Sequence, residues 1–381
     1  MKNKPKNYFG AIAVMVGYII GVGMFGLPFL VSKAGIFTFF IFLITLSLVQ
    51  YLLHLIYANI IVVTKDYHRM PGYAGVYLGK HGKRIVFIAK MISSYGALLA
   101  YIIITGIFLH QLLNSIFGGS EMMYATILFL IEAIVIYFGI GMIAKAELFM
   151  SGILLLVIIL ITWKGCKVIN LDNYLMIDWK YIFLPYGAML FALDGNGSLP
   201  IVTKLLRRNK EAIKSVIRVA TILSVLLITV FTLVIVGVSG RSTTPDALIG
   251  LKLILNNDVI VLALIFGILT MVTSFLGVAE SIKETLWWDY KINKKLAWAL
   301  AVFMPYLLYL AGIKDLIGVI SFAGAVAGGL CATTMVIIFM KLKKQKNKLV
   351  LFKYKPGNII IYLLIGMFIL GMVYEIIAFL I

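Results

Sequence analysis

Two stretches of this chain interrupt long apolar runs with residues that release the backbone from helical pairing: Gly21-Val22-Gly23-Met24-Phe25-Gly26-Leu27-Pro28 and Asp194-Gly195-Asn196-Gly197-Ser198-Leu199-Pro200. Each holds Gly-x-Gly followed by Leu-Pro. Glycine weakens a helix and proline removes a donor, so both segments free N–H and C=O groups. In an apolar medium those groups must find partners, and a ligand can supply them. The amides of Gly21, Val22 and Gly23 would stand at the positive end of a half-helix, which favours an anion such as a carboxylate. Carbonyls freed near Phe191, Ala192 and Leu193 would accept hydrogen bonds from an ammonium. A carboxylate beside such a break, Asp194, is costly unless it meets water, a cation or a partner. Three roles are open to it: contact to a bound ammonium, carriage of a proton, or a place in a wet vestibule. Packing glycines and proline kinks are the competing explanation for each stretch taken singly. The matched pair favours a binding site.

The elements that must hold these stretches follow from composition. Of 381 residues, 62% are hydrophobic and 13% charged, with mean hydropathy +1.07, so lipid is the expected solvent. A spanning helix needs about 20 mostly apolar residues. The chain offers about eleven such runs, at 8–31, 36–63, 85–117, 122–143, 147–165, 181–203, 215–238, 258–281, 296–312, 316–340 and 358–381. The expected fold class is an all-α integral membrane protein made of one transmembrane domain over 1–381. Helices 1 and 6 are expected to be unwound at mid-membrane. The two breaks lie five spans apart, an odd number, so the second half enters the bilayer upside down relative to the first. This predicts a 5+5 inverted repeat, approximately 8–165 and 181–340, with one additional C-terminal helix at 358–381.

Charge fits that topology. With the N-terminus cytoplasmic, 27 of the 34 Lys and Arg residues fall in inside segments, among them the groups at 65–90, 204–218, 283–295 and 341–355. The C-terminus then lies on the extracytoplasmic side of the cytoplasmic membrane. The formal charge of +19 is distributed between apolar runs and not on one soluble face, which argues against nucleic acid as a partner. Cys166 and Cys331 form no metal or disulfide pattern, and His54, His68, His81 and His110 are scattered and read as loop or packing residues. No nucleophile with its base is evident, so an enzyme is not expected, and no cofactor or obligate protein partner is implied. Membrane lipid is the expected surrounding. A channel is disfavoured because no span shows a ring-forming polar repeat. Glu132 lies inside a span and reads as a protonated or paired acid; Glu280 and Glu375 lie nearer span ends and read as solvated. The basic stretch 205–218 reads as topological anchoring, with an amphipathic surface helix as its alternative.

Four motifs carry a family resemblance. Gly17-Tyr18-Ile19-Ile20-Gly21-Val22-Gly23-Met24-Phe25-Gly26-Leu27-Pro28 resembles the first-helix pattern of the amino acid/polyamine/organocation superfamily with the LeuT-type fold. Leu190-Phe191-Ala192-Leu193-Asp194-Gly195 with Pro200 is similar to its sixth-helix break, and Thr273-Ser274-Phe275-Leu276-Gly277-Val278 to the eighth-helix signature of its hydroxy and aromatic amino acid permease branch. Pro71-Gly72-Tyr73-Ala74-Gly75 with Leu78-Gly79 resembles the loop after span 2.

The resemblance implies cation-coupled secondary active transport of a neutral or aromatic amino acid by alternating access. It implies a zwitterion held between the two breaks, with Tyr101 and Phe191 as pocket walls. It also implies a sodium site in which Thr273 and Ser274, with Thr270 a turn earlier, face carbonyls of Gly17 and Ile20; these uncharged oxygens suit a hard cation. Such hydroxyls commonly bond to their own helix instead. Span 5 holds no lysine over 147–161 to replace the ion, which favours sodium, whereas the aromatic branch is often proton-driven. Both ions stay open. A receptor subunit of the same fold, binding an amino acid without concentrating it, is the alternative function.

Overall fold

A computed structural model describes residues 7–138, 156–251, 257–345, 348–354 and 356–380. The ends of the predicted fourth and fifth spans, with Lys145, Lys252 and the Lys2, Lys4 and Lys6 group, lie outside the described residues. In chain order the α-helices are α1 (Tyr8–Ile19), α2 (Val22–Ala34), α3 (Ile36–Val63), α4 (Met70–Phe117), α5 (Glu121–Phe138) and α6 (Leu156–Gly165). They continue with α7 (Pro185–Ala192), α8 (Leu199–Leu205), α9 (Lys210–Ser239) and α10 (Asn257–Glu284). The last are α11 (Lys294–Leu310), α12 (Leu316–Phe322), α13 (Gly329–Lys343) and α14 (Asn358–Leu380). A π-helical turn, Ala323–Gly328, joins α12 to α13. Seven helices among the described residues are long and apolar enough to cross a bilayer, and the bent pair α1 and α2 raises this to eight.

The apolar residues left exposed on α3 and α14, such as Phe37, Ile44, Leu48, Ile359, Leu363 and Leu370, form faces suited to hydrocarbon. Inside, small residues let helices approach, as is usual where lipid weakens the drive to bury apolar groups. A side chain on Gly187 of α7 would meet the Ser321 carbonyl at 2.5 Å.

Several predicted boundaries shift for physical reasons. At about 1.5 Å per residue, the 48 residues of α4 would be too long for one crossing. Gly79, with φ 74°, breaks it into two helices: the stretch 70–78, which sequence reads as loop, and the crossing helix that begins near Lys80. The basic stretch 205–218 is not a separate surface helix. Its later residues are the first turns of α9, which starts at Lys210 behind Asn209, whose side chain accepts from the Ala212 amide at 3.1 Å.

Basic residues from distant segments meet at one end of the bundle. Arg69 pairs with Glu284 at 2.8 Å, Arg208 donates to the Lys65 carbonyl at 3.1 Å, and Lys83 donates to the Asp289 carbonyl at 3.0 Å. At the other end, residues 175–178 lie against the turn between α2 and α3, where Ile36 donates to Leu175 and Asp178 to Ala34. One acid differs from expectation. Glu280 is not simply solvated: it pairs at 2.6 Å with Lys283, which is 2% exposed and also donates to the Ile136 carbonyl. Glu132 is buried and joins no ion pair among the described residues.

Candidate substrate site

The first break is a backbone feature. α1 ends at Ile19, Ile20 is extended (φ −85°, ψ 90°), and α2 leaves at 49° to α1. The Ile20 amide donates to Val16 at 2.8 Å and the Gly21 amide to Ile19 at 3.1 Å. Gly21 has therefore spent its donor. Val22 and Gly23 open α2, so their amides have no carbonyl one turn back within that helix, and they are the two that remain for a bound anion. A side chain on Gly23 would lie 2.7 Å from the Ala192 Cα; its absence brings α2 directly onto the end of α7. A side chain on Gly21 would lie 3.2 Å from the hydroxyl of Tyr101, which is buried on α4. Tyr101 thus overhangs the break, where sequence placed it.

Side chains dominate the second break. α7 stops at Ala192; Leu193 donates back to Met189 at 3.1 Å and Asp194 to Phe191 at 3.2 Å. The Phe191 carbonyl is consequently occupied. Those of Ala192 and Leu193 receive none of the loop and cap hydrogen bonds formed among the described residues. Asp194 Oδ1 accepts from the Asn196 amide at 3.0 Å and from Asn196 Nδ2 at 2.6 Å, closing a short turn of the kind aspartate favours. The chain then makes a 3-10 turn (Asn196–Ser198), and α8 begins with Pro200 in its first turn, where a missing donor is harmless.

A cavity runs between the breaks. Gly21, Gly23 and Tyr101 line one part of it, Phe191 and Asp194 another, and Ser93, Ser94 and Ala97 of α4 a third, with Val278 arriving from α10. None of the predicted ion ligands Gly17, Ile20, Thr270, Thr273 and Ser274 is among the described residues that line it. Thr270 is buried, and the Thr273 hydroxyl donates to the Thr270 carbonyl at 3.0 Å, the self-bonding that competes with ion binding. Ser274 lies one turn before Val278. Among the described residues no hydrogen bond joins Thr273 or Ser274 to α1, which holds Gly17 and precedes Ile20.

The model of the tryptophan/tyrosine permease family matches residues 4–375. The chain belongs to that family. It is thereby a multi-pass membrane protein of an amino acid transporter family, not an enzyme. The permease is also similar to Glutamine transporter 2 of Aliivibrio fischeri, with 22% identity over 354 residues, covering 89% of this chain and 90% of the relative. Its fold matches the crystal structure of MhsT in complex with L-phenylalanine at TM-score 0.69 and 14% identity, covering 99% of each chain, which establishes the LeuT-type fold.

Three further residues of the permease contact the second break or line the cavity: sequence reads His54 and Lys90 differently and passes over Gln50. Gln50 and His54, a turn apart on α3, grip the second break from either side. Gln50 Nε2 donates to the Leu190 carbonyl at 3.1 Å, and His54 Nε2 accepts from the Gly195 amide at 3.0 Å. His54 is wholly buried and bonded to the break, so it is more than the packing histidine expected. Lys90 is grouped by sequence with the topological charges, yet it lines the cavity together with Asp194 and Tyr18. The available signals were a polar i, i+4 pair in an apolar span and a lysine five residues beyond the start of another.

Proposed function

We propose that this chain performs cation-coupled secondary active transport of a neutral or aromatic amino acid across the cytoplasmic membrane by alternating access. The observation that supports it best is the direct apposition of the two breaks at Gly23 and Ala192, with Tyr101 and Phe191 beside them. The α-carboxylate binds the Val22 and Gly23 amides at the positive end of α2, and the ammonium binds the carbonyls of Ala192 and Leu193. Because backbone recognises only the groups common to all amino acids, the cavity walls select the side chain.

Eleven spans, arranged as inverted repeats over approximately 8–165 and 181–340 plus the helix at 358–381, complete the reading. The end that gathers Arg69, Lys83 and Arg208 is the cytoplasmic one, in keeping with the positive-inside rule. The coupling ion is sodium or a proton. In the sodium form, Thr270, Thr273 and Ser274 supply oxygens opposite Gly17 and Ile20, and the Thr273 hydroxyl leaves its intrahelical partner to do so.

Uptake of labelled amino acids into proteoliposomes, under separately imposed sodium and proton gradients, tests this function. Gradient-driven accumulation is expected, and a folded protein that accumulates no amino acid under either gradient overturns it. Thr273→Ala with Ser274→Ala is expected to abolish sodium dependence; unchanged sodium dependence in that double variant removes the ion site.

A further inference from the structure

We propose that the cavity between α3, α4, the second break and α13 is a side-chain subsite for a neutral carboxamide, so that the preferred cargo is an amino acid ending in –CONH2. The proposal rests on the reading that the amino acid backbone binds between the two breaks. This cavity is lined by Gln50 of α3, Lys90 and Ser93 of α4, Asp194 and Asn196 of the break, and Cys331 of α13. It shares Lys90, Ser93, Phe191 and Asp194 with the cavity at Gly21, Gly23 and Tyr101. A ligand anchored at the glycine break therefore has a continuous path for its side chain.

Hydrogen-bond accounting decides the chemistry. Gln50 is 5% exposed, and its amide nitrogen is committed to the Leu190 carbonyl, which fixes the amide's orientation and leaves Oε1 with no partner. Asn196 is fixed in the same way: its nitrogen is held by Asp194 at 2.6 Å, and its Oδ1 has no partner. Neither amide can turn over without losing the bond that its nitrogen makes. Two buried acceptors thus face a shortage of donors, which is unfavourable until something supplies N–H groups. The third polar group is the Lys90 ammonium, three donors with no acceptor of its own, which joins no ion pair among the described residues. Asp194 lines the same cavity and brings the opposite charge to it.

Only some side chains meet these three demands together. A carboxamide offers two N–H donors to the Gln50 and Asn196 oxygens and one carbonyl to the Lys90 ammonium. An aliphatic or aromatic group leaves all of them unpaired. A side-chain carboxylate satisfies Lys90 but meets two carbonyl oxygens and Asp194, whereas an ammonium meets the oxygens but is repelled by Lys90. Because Lys90 and Asp194 oppose each other in charge, a neutral ligand leaves that balance undisturbed. Sites built to hydrogen-bond a polar group discriminate strongly against analogues that lack it.

The test compares L-glutamine with L-methionine, L-glutamate and L-tryptophan, each labelled, in proteoliposomes containing the full chain. Glutamine is expected to show a KM at least about ten-fold below the other three, consistent with one or more hydrogen bonds to buried groups. Lys90→Met is expected to collapse the ratio of methionine to glutamine KM towards one. Equal KM values for glutamine and methionine in the unaltered protein overturn the proposal, as does a Lys90→Met variant that keeps the original ratio. The comparison in the unaltered protein stands even where Lys90→Met fails to fold. Uptake of other amino acids without preference for glutamine overturns the subsite while leaving amino acid transport in place. No uptake of, and no thermal stabilisation by, any of the four overturns both.

Discussion

The two helix breaks are similar in sequence and are held in different ways. The first is shaped by its backbone: an extended Ile20, a Gly21 that folds its amide back onto Ile19, and an α2 that departs at 49° with its opening amides free of helical partners. The second is tied by side chains on either side of the open Ala192 and Leu193 carbonyls, with Gln50 on Leu190, His54 on Gly195, Asp194 on Asn196 and the Ser198 hydroxyl on the Gly195 carbonyl at 2.7 Å. In one case two released amides keep no helical partner, and in the other much of the released hydrogen-bonding capacity is taken up within the protein. A matched pair of Gly-x-Gly and Leu-Pro motifs therefore does not imply two equivalent half-sites. At the first, the opening amides of α2 lack helical partners; at the second, the Ala192 and Leu193 carbonyls stay open while side chains hold the chain on either side of them.

The sharpest way to break this contrast is at the point where the two regions touch. Gly23→Val places carbon atoms where the Ala192 backbone lies, at 2.7 Å from its Cα already for the first of them, and overpacking of this kind costs roughly 1–3 kcal/mol when it can be relieved at all. Uptake should fall by about a hundred-fold or more in protein that still elutes as a single species, because relief separates the groups that bind the zwitterion; near-normal uptake would show that the breaks need not touch. His54→Leu probes the tied break. It strands the Gly195 amide at a cost of about 1–3 kcal/mol, so the thermal midpoint should fall and uptake should drop roughly ten-fold. A lowered midpoint with undiminished uptake would reduce the second break to scaffold. Tyr101→Phe is the mildest change. Loss of the hydroxyl over Gly21 should raise KM about three- to ten-fold, equivalent to one ordinary hydrogen bond. An unchanged KM would confine Tyr101 to packing.

Much of this contrast lies beyond local sequence patterns. Long apolar runs announce the crossing helices because each must meet lipid on its own, and the glycines and prolines at 21–28 and 194–200 announce the breaks because no neighbour is needed to weaken a helix there. Tyr101 and Phe191 were legible through family resemblance, and both line the cavity. Gln50 and His54 were not, because the groups that give them a role are 140 and 141 residues away along the chain, and only folding reveals which face of α3 is turned to them. Lys90 was concealed differently. A lysine near a span end fits a topological charge and a cavity wall equally well until the kink at Gly79 shows where the crossing part of α4 begins. The same remoteness explains the division of labour among the predicted amides, since the Gly21 bond to Ile19 depends on how sharply the chain turns, which the glycines permit without dictating.

The pair of bonds from α3 has a mechanical consequence. Gln50 and His54 are four residues apart, about 6 Å along the helix, and one holds the chain before the second break while the other holds it after. α3 is in effect a splint laid across a fracture: bending at residues 193–195 would have to snap one of two buried hydrogen bonds or drag the whole of α3 along.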